Sequence, residues 1–276
     1  MNNQENKVWF ITGASNGFGL ALAKKLLEDG QKVGATSRNK ASIEEKLGTN
    51  PNLLALTVDI TNDNEVKAAI DETVKTFGKI DVAVNNAGYM LLGALEEVSA
   101  KEFQQSVGVN VFAFQNVIRN VMPYFRKQKS GHIFNFASSA GYSADAGAGS
   151  YNSVKSAVIG LSEALALEAK PFNIQVTIVS PGLFRTNFLG AFPIAQNKID
   201  VYNTQQLVDA MNQYNGQQPG NPDKLVKILI DIAGQANAPL HLLMGKDAYQ
   251  RAITYYQSQL ENLETLKDLS SSTDFE

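Results

Sequence analysis

The sequence predicts a doubly wound α/β fold, a parallel sheet of about seven strands with helices on both faces. Three observations predict it. Short, continuously apolar runs recur, the form a strand takes when a parallel sheet is covered on both faces. Stretches with apolar residues at helical spacing separate them, so strand and helix alternate through about 180 residues. The first apolar run passes straight into a glycine-rich turn and then a helix.

Val8–Thr12 reads as the first buried strand and Leu20–Leu27 as the helix behind it, with Gly30 as the stop. Lys32–Ser37 reads as a strand, Ala41–Leu47 as a helix and Leu53–Val58 as a strand. Asn64–Phe77 is a helix closed by Gly78, followed by the strand Ile80–Asn85. Lys101–Arg126 reads as one long amphipathic helix, His132–Ala137 as a strand, Ser150–Ala169 as a helix and Ile174–Val179 as a strand.

Beyond Pro181 the periodicity weakens. Leu183–Pro222 is rich in Asn, Gln, Gly and Pro, and a weakly periodic stretch of this length in a compact domain is expected to be a lid or an irregular excursion. Asp223–Ala233 is again helical, Leu240–Met244 a seventh strand, and Ala248–Leu266 an amphipathic helix before a polar, frayed tail, Ser270–Glu276. No repeat, linker or composition break appears. Residues 1–276 therefore read as a single domain, with 183–222 an insertion and 245–276 a C-terminal helical extension.

Composition removes several classes of function. A net charge of -3 offers no basic field for nucleic acid or an anionic membrane. The absence of cysteine excludes thiolate metal sites and cysteine nucleophiles, and two histidines, His132 and His241, are too few for most metal centres. The polar stretch Met1–Lys7 lacks the apolar core of a signal peptide, and no apolar run reaches membrane-spanning length, so a cytoplasmic protein is expected.

Three places carry chemistry. In Thr12-Gly13-Ala14-Ser15-Asn16-Gly17-Phe18-Gly19 the glycines allow a tight turn and close backbone approach, and the helix behind them presents free N–H groups to a pyrophosphate. At the end of the second strand, Ser37-Arg38 offers a hydroxyl and a guanidinium where a site choosing NAD places a carboxylate. That favours the 2′-phosphate of NADP over NAD. At the start of the Ser150–Ala169 helix, Tyr151 and Lys155 lie one turn apart on one face, where an ammonium can bring a phenol into proton exchange.

Other residues read less sharply. Asp59 suits an adenine amino group or the cap of the helix beginning near Asn62. Asn85-Asn86-Ala87-Gly88 closes a strand with small and amide residues suited to close packing, and Asn110 places an amide among apolar neighbours in mid-helix.

Taken in order, these elements resemble the short-chain dehydrogenases/reductases over about residues 6–190. The resemblance rests on Gly13, Gly17 and Gly19, Asp59, Asn85-Asn86-Ala87-Gly88, Asn110, Ser138, Tyr151 with Lys155, and Pro181-Gly182 with Thr186. It implies a Rossmann-type domain, a catalytic set of Ser138, Tyr151, Lys155 and Asn110, and no metal. Ser138 fits the family spacing to the tyrosine; Ser139 is off by one. Cofactor contacts are implied for Gly13, Ser15, Asn16, Gly17, Phe18, Gly19, Ser37, Arg38, Asp59, Ile60, Asn86, Ala87, Gly88, Tyr151, Lys155, Pro181, Gly182 and Thr186. In the implied chemistry a hydride passes between NADPH and a carbonyl/alcohol pair while Tyr151 exchanges a proton with the oxygen. Ser138 steadies that oxygen, Lys155 tunes the tyrosine and holds the nicotinamide ribose, and Asn110 orders a water behind Lys155.

The C-terminal third resembles the 17β-hydroxysteroid and retinol dehydrogenase subgroup. Phe184, Phe188, Leu189, Phe192 and Tyr202 in its lid favour a largely apolar substrate, or else a subunit interface. A homodimer or homotetramer is implied, with the outer faces of the Lys101–Arg126 and Ser150–Ala169 helices as contacts. Two other classes compete: a cofactor-binding regulator without turnover, and a methyltransferase. Neither requires Ser138, Tyr151 and Lys155 together.

Overall fold

A computed structural model of the chain describes residues 6–190 and 192–275; Met1–Glu5, Ala191 and Glu276, on which parts of the polar N-terminus, the 183–222 insertion and the tail fall, lie outside the described residues. Seven parallel strands form one sheet in the order β3-β2-β1-β4-β5-β6-β7. They are β1 (Val8–Thr12), β2 (Lys32–Ser37), β3 (Leu53–Thr57), β4 (Val82–Asn85), β5 (Gly131–Phe136), β6 (Ile174–Pro181) and β7 (His241–Met244). The order reverses between β1 and β4, and in doubly wound sheets ligands bind in the crevice outside the strand ends at that point.

Strand β1 shows why the sheet is covered twice. Trp9 and Ile11 point into a core shared with α1 (Gly17–Glu28) and, near the chain end, Leu225, Val226 and Leu229. Val8 and Phe10 point the other way, onto α3 (Asp63–Phe77) and the Val117–Phe125 stretch. Each fully buried side chain of this size contributes about 1.5–3 kcal/mol, so neither face could be left to water. Gly34 of β2 lets α3 close in: a Cβ there would stand 2.6 Å from Thr73 Oγ1.

The predicted helix over 101–126 differs in one respect. It runs as α4 (Ala100–Val107) and α5 (Ala113–Gln128), joined by a π-helical turn at Gly108–Phe112 in which the Ala113 N–H reaches back to Gly108 O. Earlier in the chain α2 spans Ala41–Leu47, and after β5 α6 spans Gly149–Ala169. The 183–222 segment is also more ordered than its composition suggests, for it contains α7 (Thr204–Tyr214). Its two ends meet: Leu183 O accepts from Gly220 N at 3.0 Å, and Gly220 O accepts from Arg185 N at 3.0 Å. The chain then returns to the core as α8 (Pro222–Ala233), N-capped by the Asn221 side chain, and ends in α9 (Lys246–Thr265) and α10 (Lys267–Ser271). The tail expected to fray from Ser270 thus starts inside α10. Among the described residues no helix is long and apolar enough to cross a membrane.

Candidate active site

The glycine turn sits at the end of β1 and is built without side chains where it must be thin. Gly13 and Gly17 hold φ of +68° and +54°, which glycine adopts without steric cost. A Cβ on Gly19 would stand 2.5 Å from Gly13 O and 2.6 Å from Asn86 Nδ2. Asn86 and Ala87 hold the turn in place. Asn86 Nδ2 donates to Thr12 O (3.0 Å) and Gly13 O (3.2 Å), while the N–H groups of Asn86 and Ala87 donate to Thr12 Oγ1 at 3.1 and 3.2 Å. Asn16, the N-cap residue of α1, makes no side-chain cap hydrogen bond. The first-turn N–H groups therefore keep their donors for an anion, and the cradle fits a dinucleotide pyrophosphate.

Phe18 packs edge-on to Phe184 with ring centroids 5.3 Å apart, which fastens α1 to the loop after β6. Thr186 of that loop faces Gly17, where an added Cβ would lie 3.9 Å from the threonine Cβ. Pro181 ends β6, and the Gly182 N–H donates to Met244 O at 2.8 Å, so this loop leaves the sheet beside the turn.

The corner beyond β2 sorts the predicted residues. Ser37 is buried, and its Oγ donates to Asn39 O at 2.6 Å and accepts from Asn39 N at 3.1 Å, so its hydroxyl is engaged locally. Arg38 is exposed and enters no ion pair among the described residues. Asp59 does not cap α3: Asn62 does, accepting from Asn64 N at 3.1 Å, while Asp59 Oδ1 accepts from Thr61 N at 2.9 Å. Ile60 packs its side chain against the core on the α3 face. Lys46, which its sequence position does not single out, reaches over the turn and donates to Ser15 O at 2.7 Å and Asn16 Oδ1 at 2.8 Å.

Tyr151 and Lys155 lie where the ends of β4 and β5 meet α6. Tyr151 and Lys155 are buried, 7% and 4% exposed, with Lys155 Nζ 5.7 Å from the tyrosine ring centroid and 5.6 Å from that of Phe114. Lys155 Nζ donates to Phe136 O at 2.9 Å, which leaves donors for other partners. Ser138, at the end of β5, N-caps the short turn Ser139–Gly141 by accepting from Ala140 N at 3.2 Å. Its hydroxyl draws the Tyr151 phenol's pKa downward.

Asn110 is held by the π-helical turn. Its Nδ2 donates to Ser106 O (3.0 Å) and Tyr89 O (3.2 Å), while its Oδ1 is buried without a partner among the described residues. An orphaned buried acceptor costs about 1–3 kcal/mol, which a bound water would recover. Gly88 lies between this oxygen and the lysine: a Cβ there would meet Asn110 Oδ1 at 2.6 Å and Lys155 Nζ at 3.4 Å.

Burial dominates the electrostatics. It pushes the Tyr151 phenol up to about 12, against the weaker downward pull of Ser138, and pushes Lys155 down to about 7. The expected lowering of the tyrosine by a fixed ammonium is therefore overridden here. Desolvation of the phenolate is the largest influence on Tyr151, and Ser138 is the group that pulls against it.

The 183–222 segment covers this centre. Leu189 and Val208 are buried in one cluster with Met90, Leu92, Tyr151 and Val154, and the Phe188 ring lies 6.1 Å from that of Tyr151. Carboxylates of the 96–102 stretch, unmarked in the sequence, fasten it. Glu97 accepts from Ile199 N at 3.0 Å and from the Thr204 hydroxyl; Glu102 accepts from Gln196 N at 3.0 Å; Tyr202 donates to Glu96 at 2.5 Å. The Thr204 hydroxyl, then the Ile199 N–H, hold the Glu97 carboxyl below its usual range. Glu97→Ala is expected to destabilise the protein by about 2 kcal/mol and loosen the segment, read as a lower Tm and faster proteolysis within 192–204.

Comparisons with known proteins identify the family and the fold. A family model described as short chain dehydrogenase matches residues 7–197. The chain is 35% identical over 245 residues to a 3-ketodihydrosphingosine reductase of Bacteroides thetaiotaomicron, covering 87% of this chain and 88% of that one. A crystal structure of a short-chain dehydrogenase from Streptomyces avermitilis superposes with a TM-score of 0.89 at 31% identity, over 97% of this chain and 100% of that one. A 3-ketoacyl-(acyl-carrier-protein) reductase from Brucella melitensis, solved with NADH, superposes with a TM-score of 0.73 at 29% identity, over 87% and 96% of the two chains.

Proposed function

The chain belongs to the short-chain dehydrogenase/reductase family and is an oxidoreductase, and from that premise we propose that it moves a hydride between NADP and a largely apolar carbonyl or secondary alcohol. The observation that carries this reading is the buried Tyr151–Lys155 pair, with Ser138 beside it and an apolar cover above.

A bound nicotinamide supplies or receives the hydride. The residues do the rest. The turn Gly13–Gly19 and the α1 N-terminus would hold the pyrophosphate, Asp59 would accept from the adenine amino group, and Pro181, Gly182 and Thr186 would hold the nicotinamide half. In the reducing direction the substrate oxygen sits between Ser138 and Tyr151. Ser138 Oγ donates a hydrogen bond to that oxygen as negative charge develops, and Tyr151 transfers its phenolic proton to it. A phenol raised to about 12 is fully protonated at neutral pH and so is loaded as the donor. Lys155, close to its own titration point at pH 7, returns a proton toward the tyrosine oxygen, with a water on Asn110 Oδ1 as its link to solvent.

Relatives named for reducing 3-keto compounds support the carbonyl reading. Met90, Leu92, Leu189 and Phe192 around Tyr151 support an apolar substrate. Exposed Phe103, Phe112 and Leu167 on the outer faces of α4, the π-turn and α6 support a homodimer or homotetramer joined there.

The exposed, unpaired Arg38 carries the choice of NADP. Arg38→Ala is expected to raise the KM for NADPH about tenfold and leave NADH within about twofold, as loss of a charge-assisted hydrogen bond predicts. Equal loss for both would defeat the assignment. The activity itself is tested with a panel of ketones and the matching alcohols, following NADPH and NADH in parallel. Cofactor binding without turnover on any of them would move the protein to the regulatory class.

A further inference from the structure

We infer that Lys46 is a second cation of the 2′-phosphate site, delivered from α2 onto the glycine turn, and that it sets cofactor choice together with Arg38. This rests on the NADP reading above and names a residue that reading does not contain.

The glycine turn and the end of β2 form one corner: the Ala14 N–H donates to Thr36 O at 3.0 Å, two residues before Arg38. Lys46 enters the same corner from the last turn of α2, its Nζ on Ser15 O at 2.7 Å and Asn16 Oδ1 at 2.8 Å. Both acceptors are neutral. Other helical lysines nearby find acids, Lys25 with Asp29 at 2.6 Å and Lys40 with Glu44 at 4.0 Å, whereas Lys46, like Arg38, enters no ion pair among the described residues. An ammonium has three donors, and two are used here.

Two cations thus share a corner with no carboxylate among the described residues paired to either, beside a turn fitted to a dinucleotide. A ribose 2′-phosphate carries close to two negative charges at neutral pH and several acceptor oxygens. It would accept the third donor of Lys46 while the first two keep the ammonium aimed. A ribose 2′-hydroxyl offers no such charge, so Lys46 favours the phosphorylated nucleotide. Arg38 supplies a planar fork and Lys46 a compact point charge, complementary ways of holding one phosphate.

The test is calorimetric binding of adenosine 2′,5′-bisphosphate and of AMP, which differ only in the 2′-phosphate, to the wild type, Lys46→Met and Lys46→Arg. Lys46→Met is expected to weaken the bisphosphate about tenfold, leave AMP within about twofold, and make bisphosphate binding less salt-dependent. Lys46→Arg should recover most of the loss. Weakening of both ligands alike would show that Lys46 only braces the turn, and no change in either would show that it is idle. Either result overturns the inference while a wild-type preference for the bisphosphate upholds the NADP reading. A wild type that binds the two ligands equally overturns that reading and this inference together.

Discussion

Tyr151→Phe is expected to lower kcat about 10³-fold and leave the dissociation constant of NADPH within about twofold. The phenyl ring keeps the packing against Phe188, Met90 and Val154, so the fold and the apolar cover persist. Only the hydroxyl is lost, and with it the proton that the substrate oxygen needs as the hydride arrives. Ser138 cannot stand in, because a serine hydroxyl is too weak an acid to release its proton at this step. Single-turnover kinetics with pre-bound NADPH would check this directly. A variant with normal turnover would remove Tyr151 from the chemistry.

Lys155→Met should cost about 10²-fold in kcat and also raise the KM for the cofactor, since one ammonium is read as serving both. Its pH behaviour makes the test sharper. Burial pushes Lys155 down to about 7, so in the wild type the charge proposed to return the proton to Tyr151 fades as pH rises through that value. The limb of the reduction rate that falls above about 7 should therefore vanish in the variant. Stability moves oppositely. The folded state holds Lys155 at about 7 and the unfolded state holds it near 10.5, so between these values the unfolded chain binds more protons and stability rises with pH. Methionine has no such slope. A Lys155→Met protein with unaltered dependence of Tm on pH across that window would show that the lysine is not the buried titrating group.

The strands and the glycine turn were legible because burial on two faces leaves a plain mark, the unbroken apolar run. The π-helical turn left none. Val107, Val109 and Val111 surround Asn110 with apolar neighbours that a straight helix would also carry, so one surplus residue does not disturb the pattern. Helix α7 was hidden by its amides: Thr204–Tyr214 buries only Val208 among its residues. Lys46 and Glu97 were hidden for another reason. Their partners in distant segments are backbone groups, an amide oxygen and a hydroxyl, and such acceptors and donors carry no signature in the residue that uses them. The direction of the Tyr151 shift was missed because spacing shows which charges are near, not how dry their surroundings are.

The π-helical turn at Gly108–Phe112 has a consequence for how this site can change. A helix containing one residue more than its regular turns accept is an insertion held in place, and a regular helix lies a single deletion away. Removing that residue would rotate everything on one side of it by about 100° and carry the Asn110 amide off the Tyr89 carbonyl. The backbone would gain ordinary hydrogen bonding while the proposed water site behind Lys155 lost its anchor. At this one position, drift toward a regular helix would be drift away from the proposed proton path.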